Sequence, residues 1–112
     1  MSEAKLQSRV LYRARKHGWR VAHAGRGWVG GDEDSPGVVV TPMAKGWPDL
    51  TCAKEGHKLV FIELKREQGE VEPEQWQWLW LLNACGARAV VVRPSDLRTG
   101  IVERIFREGS PL

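Results

Sequence analysis

The run Lys58-Leu59-Val60-Phe61-Ile62-Glu63-Leu64-Lys65 constrains this chain more than any other stretch. Its β-branched, aromatic and aliphatic residues read as a strand with a buried look, yet it carries an acid and a base two residues apart. Residues two apart on a strand share a face, so Glu63 and Lys65 project together while Ile62 and Leu64 point the other way, into a core. Thirteen residues separate Glu63 from the pair Pro48-Asp49. Asp49 to Ala53 reads as a second strand, and Lys54-Glu55-Gly56-His57 has the length and the glycine of a hairpin connection, so Asp49 and Glu63 are expected on adjacent antiparallel strands. Two carboxylates and an ammonium then converge on one surface. The carboxylates repel, and a hard divalent cation between them relieves the repulsion; Mg²⁺ is held by one or two such groups plus waters and phosphate oxygens. A lysine beside the metal can orient or deprotonate a water, and the metal stabilises charge developing on phosphorus. The trio fits phosphodiester hydrolysis. The competing reading is an ion pair between Glu63 and Lys65 on a solvated sheet edge, with Asp49 a turn residue after Pro48.

The rest of the 112 residues supplies one α/β domain around this strand pair. Residues 3 to 17 read as an amphipathic helix capped by Ser2, with Leu6, Val10 and Ala14 repeating along one face and Gly18 ending it. Trp19 to His23 reads as a short strand, and Val38 to Thr41 as another. Between them, residues 25–37 combine five glycines with an acidic cluster and a proline, the composition of a flexible loop. That loop lacks the Gly-Lys-Ser/Thr ending of a phosphate-binding loop and is acidic where phosphate would sit. Pro73, flanked by Glu72 and Glu74, starts a helix through about Ala84 that stops at Gly86. Arg88 to Arg93 reads as a last strand, and Ser95 or Asp96 as the cap of a final helix to about Phe106, weakened at Gly100. The expected architecture is a mixed β-sheet flanked by helices, in the order αβββαβ plus a closing helix. Cys52 and Cys85 lack metal-ligand spacing and read as reduced, mostly buried thiols, and the histidines are scattered, which disfavours a structural zinc site. No apolar run is long enough for a membrane span and the N-terminus lacks the pattern of a signal peptide, so a cytoplasmic protein is expected.

Several short motifs line up with a known pattern. Pro48-Asp49 and Glu63-Leu64-Lys65 resemble the Pro-Asp…Asp/Glu-X-Lys signature of the restriction-endonuclease-like nucleases. The wider set is more specific: Glu3-Ala4-Lys5-Leu6-Gln7 in a first helix, Gly46-Trp47-Pro48-Asp49-Leu50, Glu63-Leu64-Lys65, Gly69, Pro73-Glu74-Gln75, Trp78, and Gly86 before a valine strand. Over nearly the entire chain this resembles the VRR-NUC family, the virus-type replication-repair nuclease domain. The resemblance implies a restriction-endonuclease-like core and a metal-dependent DNA endonuclease using Mg²⁺, with Mn²⁺ able to substitute. Asp49 and Glu63 would be the metal ligands, Lys65 the catalytic lysine, and Gln75 and Glu3 supporting residues of the site. A chain of this domain alone is similar to the stand-alone phage form, which implies a homodimeric enzyme cutting four-way (Holliday) junctions in the cytoplasm of a host cell. The alternatives are a less selective nuclease of flaps or duplex DNA, or a non-catalytic nucleic-acid-binding module; the intact Asp49, Glu63 and Lys65 argue against the last. The 25–37 segment matches no motif of the family.

The residues themselves add to that expectation. Gln75 shares a helical stripe with Leu79, Leu82 and Gly86 and should face the sheet. Glu3 would otherwise be an acid complementing the dipole of the first helix. The formal charge is only +3, but Lys5, Arg9, Arg13 and Lys16 follow one another along one helix side as a candidate DNA-binding stripe, or else a solvated face. Six tryptophans are present, three of them in QWQWLWLL. The stripe of Trp76 and Trp80 lies outside the sheet-facing side of its helix, which makes these two the candidate dimer interface.

Overall fold

The computed structural model describes residues 1–24, 27–29, 38–40 and 43–112, with 27–29 and 38–40 described as backbone. In chain order the elements are α1 (Glu3–Lys16), β1 (Arg20–His23), β2 (Gly27–Val29), β3 (Val38–Val40), β4 (Leu50–Ala53), β5 (Val60–Leu64), α2 (Pro73–Ala84), β6 (Arg88–Val92), α3 (Pro94–Arg98) and α4 (Ile101–Glu108). Four strands form one mixed sheet in the order β1-β4-β5-β6. The first three are antiparallel neighbours, with Val21 opposite Cys52 and Leu50 opposite Ile62. β6 runs parallel to β5, with Glu63 level with Val91, and α2 makes the crossover that a parallel pair requires.

Alternation along the central strands sorts the helices into two layers. Leu50, Cys52, Val60, Ile62, Leu64 and Val92 turn to the face covered by α1 and α4, where Leu6, Val10, Ala14, Val102, Ile105 and Phe106 complete the main core. Each fully buried Leu, Ile or Val contributes about 1.5–3 kcal/mol. Leu6→Ala, at a side chain with no exposure, should therefore cost about 2–5 kcal/mol. The opposite face is smaller: Phe61 and Ala89 meet Leu79 of α2, with Trp47, Val71, Leu82 and Val91 packed around them. β5 is thus buried on both faces, and Glu63 is the sole buried polar or charged side chain among the described residues.

Local chemistry fixes the element ends. Ser2 Oγ accepts the Lys5 N–H at 3.1 Å and caps α1. Trp19 at the far end donates its indole N–H to the Phe106 carbonyl at 2.9 Å, which ties α1 to α4. β5 starts at Val60 and not at Lys58, because the Lys58 N–H is taken by the Ser110 carbonyl and the Leu112 N–H by the Gly56 carbonyl. The C-terminal residues occupy the edge that the hairpin was expected to extend.

Three further expectations require correction. The segment 25–37, read as a loop, contains β2, which pairs with β3 as a separate antiparallel ribbon, Trp28 opposite Val39; residues 25, 26 and 30–37 lie outside the described residues, as does Thr41. The order is therefore αβββαβ only when this inserted ribbon is set aside. The single final helix is two, α3 and α4, because Gly100 takes φ +81° between them, a left-handed conformation that breaks the helix. Cys52 is buried as expected, and burial pushes its thiol up to about 12. Cys85 is exposed instead, since it follows α2 on a side that the sheet does not cover.

Candidate active site

Asp49 precedes β4 by one residue, and extending the Leu50–Ile62 register sets it beside Glu63. The same parity that sends Ile62 and Leu64 into the main core turns Asp49, Glu63 and Lys65 toward the α2 face. Asp49 Oδ2 accepts the Leu64 backbone N–H at 2.7 Å, which locks the carboxylate across the strand pair. Glu63 Oε1 accepts from Gln75 Nε2 at 2.5 Å and lies 3.9 Å from Lys65 Nζ. Gln75 stands in the first turn of α2, and its Oε1 accepts the Glu72 N–H at 2.8 Å, so the amide can present only its Nε2 to Glu63. One side chain thereby caps the helix and holds the acid.

The electrostatics of this cluster are unbalanced. Burial raises the Glu63 carboxyl from its ordinary 4.5 to about 8, the Asp49 charge beside it pushes the same way, Lys65 opposes, and Glu3 adds a smaller upward push. Burial also raises Asp49, against the Leu64 N–H that favours its ionised form, with Glu3 again pushing upward. The two carboxyls act on each other, the Asp49 charge pushing Glu63 further up. Glu63 Oε2 is buried and has no donor. Two ionised carboxylates have no hydrogen to share, so either one acid holds a proton or a cation lies between them. Glu3 stays exposed at the start of α1 and acts on the pair through its charge.

The sequence-derived site residues therefore separate into groups. Asp49, Glu63, Lys65 and Gln75 meet directly, with Glu3 at their border. The basic stripe is split: Arg13 Nη1 lies 3.2 Å and Lys16 Nζ 3.8 Å from the Glu103 carboxylate on α4, which His17 Nε2 also contacts at 2.7 Å. Lys5 and Arg9 remain exposed. Trp76 and Trp80 are 55% and 72% exposed and, with Gln77 and Leu81, line an almost wholly apolar hollow on α2.

Two contacts that the sequence did not point to also shape the site. Arg93 Nη1 donates to the carbonyls of Arg66, Glu67 and Gly69 at 2.8, 3.3 and 2.6 Å, and so holds the turn that follows Lys65. Gly46 has φ +85°, and a Cβ there would come within 2.7 Å of the Glu74 backbone, so only glycine lets the segment before Pro48-Asp49 lie against the first turn of α2. Gly46 was visible as a motif residue, but the contact that requires it was not.

No protein-family model, curated protein or solved structure matches this chain. Among the described residues, no three His, Cys, Asp or Glu side chains are grouped so as to hold a metal ion by themselves, and no helix is long and apolar enough to cross a membrane.

Proposed function

We propose that the Asp49–Glu63–Lys65 cluster is the active site of a Mg²⁺-dependent DNA endonuclease with a restriction-endonuclease-like core, acting as a homodimer on four-way junctions. The observation that carries this reading is the buried, donorless Glu63 Oε2 facing a second raised carboxyl. A purely structural ion pair would leave neither an orphaned oxygen nor surplus negative charge. The mixed sheet with its α2 crossover supports the core assignment, since it brings the acid of one strand beside the acid-X-lysine of the next.

The donor set fits a hard divalent ion. Asp49 and Glu63 offer oxygens only, and with fewer than three side-chain ligands the remaining positions fall to water and substrate phosphate, the mode typical of Mg²⁺ and open to Mn²⁺. When bound, such an ion supplies Lewis-acid stabilisation of charge on the phosphoryl oxygens. The chain's own groups do the rest. Leu64 N–H and Gln75 Nε2 fix the two carboxylates, and Glu3 adds negative charge beside them. Lys65 Nζ, on the same strand face, orients the attacking water and moves its proton. Lys5 and Arg9 are open to phosphate contact, whereas Arg13 and Lys16 are shared with Glu103.

A dimer follows from the chemistry of junction resolution: one acid set breaks one strand, and two opposed nicks require two sets related by a two-fold axis. The Trp76–Trp80–Leu81 hollow is an exposed apolar patch on which that axis would fall. Trp80→Glu should place a charge in the interface, shift the species toward monomer and convert paired cuts into single nicks. Light-scattering mass read beside cleavage of a supercoiled cruciform plasmid tests this. A monomeric wild type that linearises the plasmid in one binding event would refute the dimer.

A further inference from the structure

α1 advances about 100° per residue, so Lys5, Ser8, Arg9, Arg15 and Lys16 all lie within about 60° of Tyr12, opposite the Leu6–Val10–Ala14 stripe. The helix carries five cations, Lys5, Arg9, Arg13, Arg15 and Lys16, against the single acid Glu3. Arg13 sits on the flank and reaches Glu103, and Lys16 is shared between that acid and solvent. Among the described residues, Lys5, Arg9 and Arg15 take part in no ion pair. At the centre of this field stands Tyr12, 66% exposed, with Ser8, Leu11, Arg15 and Lys16 around a shallow hollow. A basic surface with an aromatic at its middle suits a nucleic-acid backbone, where cations meet phosphates and a phenol stacks on sugar or donates to phosphate oxygen.

The placement of this surface matters as much as its charge. α1 covers one face of the sheet, whereas Asp49, Glu63, Lys65 and Gln75 lie on the α2 face. The N-terminal end of α1 borders the site through Glu3, whereas Tyr12 and Arg15 lie about 14 and 18 Å further along the helix axis, on its outer side. A straight duplex runs along one side of so small a domain and would not reach both surfaces, whereas a branched DNA has a second arm that can.

We propose that the outer face of the C-terminal half of α1, centred on Tyr12 with Arg15, binds a second duplex arm of branched DNA and so confers preference for branched over linear substrate. This rests on the nuclease reading above for the identity of the ligand, but it makes a separate claim about binding.

The test uses the full chain bearing Asp49→Asn, so that DNA stays uncut, and measures anisotropy binding to a labelled four-way junction and to a linear duplex of matching arm sequence across a salt series. Tyr12→Ala with Arg15→Glu should weaken junction binding at least tenfold and flatten its salt slope by about one per lost phosphate contact. Duplex binding should change less than threefold. Equal losses on both DNAs would overturn the proposal in favour of a general phosphate contact, and no loss on either would make the face merely solvated or the site of an acidic protein partner. Both side chains are exposed, and an unchanged melting curve confirms that the variant is folded. Cleavage by protein with Asp49 intact reports on the nuclease reading separately. If no DNA is cut yet the junction preference still disappears in the α1 variant, the nuclease assignment fails and the surface stands; if the wild type binds no DNA, the surface fails.

Discussion

Glu63 and Glu103 are both glutamates packed against secondary structure, and their surroundings are opposite. Glu103 is met by Arg13, Lys16 and His17, and the His17 hydrogen bond, with the charges of His17, Lys16 and Arg13, holds its carboxyl below the ordinary value. Glu63 is met by Asp49 and, at longer range, Glu3, with one lysine at 3.9 Å, and its carboxyl is held far above the ordinary value. The first arrangement is complete without any further group and joins α1 to α4. The second is finished only by a proton or a cation. An acid that the fold leaves unsatisfied on the inside of a sheet is a better pointer to chemistry than a count of charges, because folding alone gives no reason to keep it.

The widest break between the two acids should be in catalysis. Asp49→Asn, Glu63→Gln and Lys65→Ala are each expected to reduce cleavage by about 10³-fold or more while junction binding persists, since phosphate contacts made elsewhere survive. Glu103→Gln should leave the rate within a few-fold. Single-turnover assays on purified, folded variants check this, and wild-type rates in any of the three would remove that residue from the site.

A smaller effect should follow from disturbing what positions Glu63. Gly46→Ala forces the segment before Asp49 away from α2, and Gln75→Ala removes the donor to Glu63 Oε1. Each should lower the rate by roughly 10–100-fold with little change in DNA affinity. A loss confined to affinity would assign these residues to DNA contact instead.

Stability against pH sharpens the contrast in metal-free protein. The folded state holds the Glu63 proton up to about pH 8, whereas the unfolded chain releases it near 4.5. Glu63 is therefore no burden below 4.5 and lowers stability progressively as pH rises to about 8. Glu63→Gln should accordingly gain stability over wild type progressively across that window. Glu103 has the opposite sign: its pairing stabilises above the unfolded value and is lost as pH falls through the lowered one. Glu103→Gln, the smallest of these effects, should lower the melting temperature by no more than about 2–3 °C at neutral pH and by nothing in acid. Parallel thermal melts from pH 4 to 9 decide it; two curves of the same sign would dissolve the distinction.

The two regions also differ in how far the sequence announces them. The period-two alternation of residues 58–65 and the turn at Gly56 suffice to put Asp49 beside Glu63, and the stripe from Gln75 to Leu82 suffices to aim Gln75 at the sheet. These contacts depend on local periodicity and one hairpin. The Glu103 cluster joins residues 90 positions apart, and nothing in the spacing of Lys5, Arg9, Arg13 and Lys16 shows that half of that stripe belongs to α4. The Arg93 clamp on residues 66–69 is hidden for the same reason. Val38 to Val40 was legible as a strand, but its ribbon partner β2 escaped because the glycines around it read as a loop, and the contact made by Gly46 with α2 appears only once both segments are packed. At Gly100 the sequence carried the break, but its conformational weight was underestimated.

The central claim is that Asp49 and Glu63 are held together for a divalent cation that cuts phosphodiester bonds. It is tested most directly by incubating labelled four-way junction with metal-stripped wild type and Glu63→Gln, each with Mg²⁺, with Mn²⁺, with Ca²⁺ and with EDTA. The expected result is cleavage by the wild type with Mg²⁺ or Mn²⁺, binding with little cutting in Ca²⁺, none in EDTA and none by the variant under any condition. Undiminished cleavage in EDTA, or equal cleavage by Glu63→Gln, would contradict it.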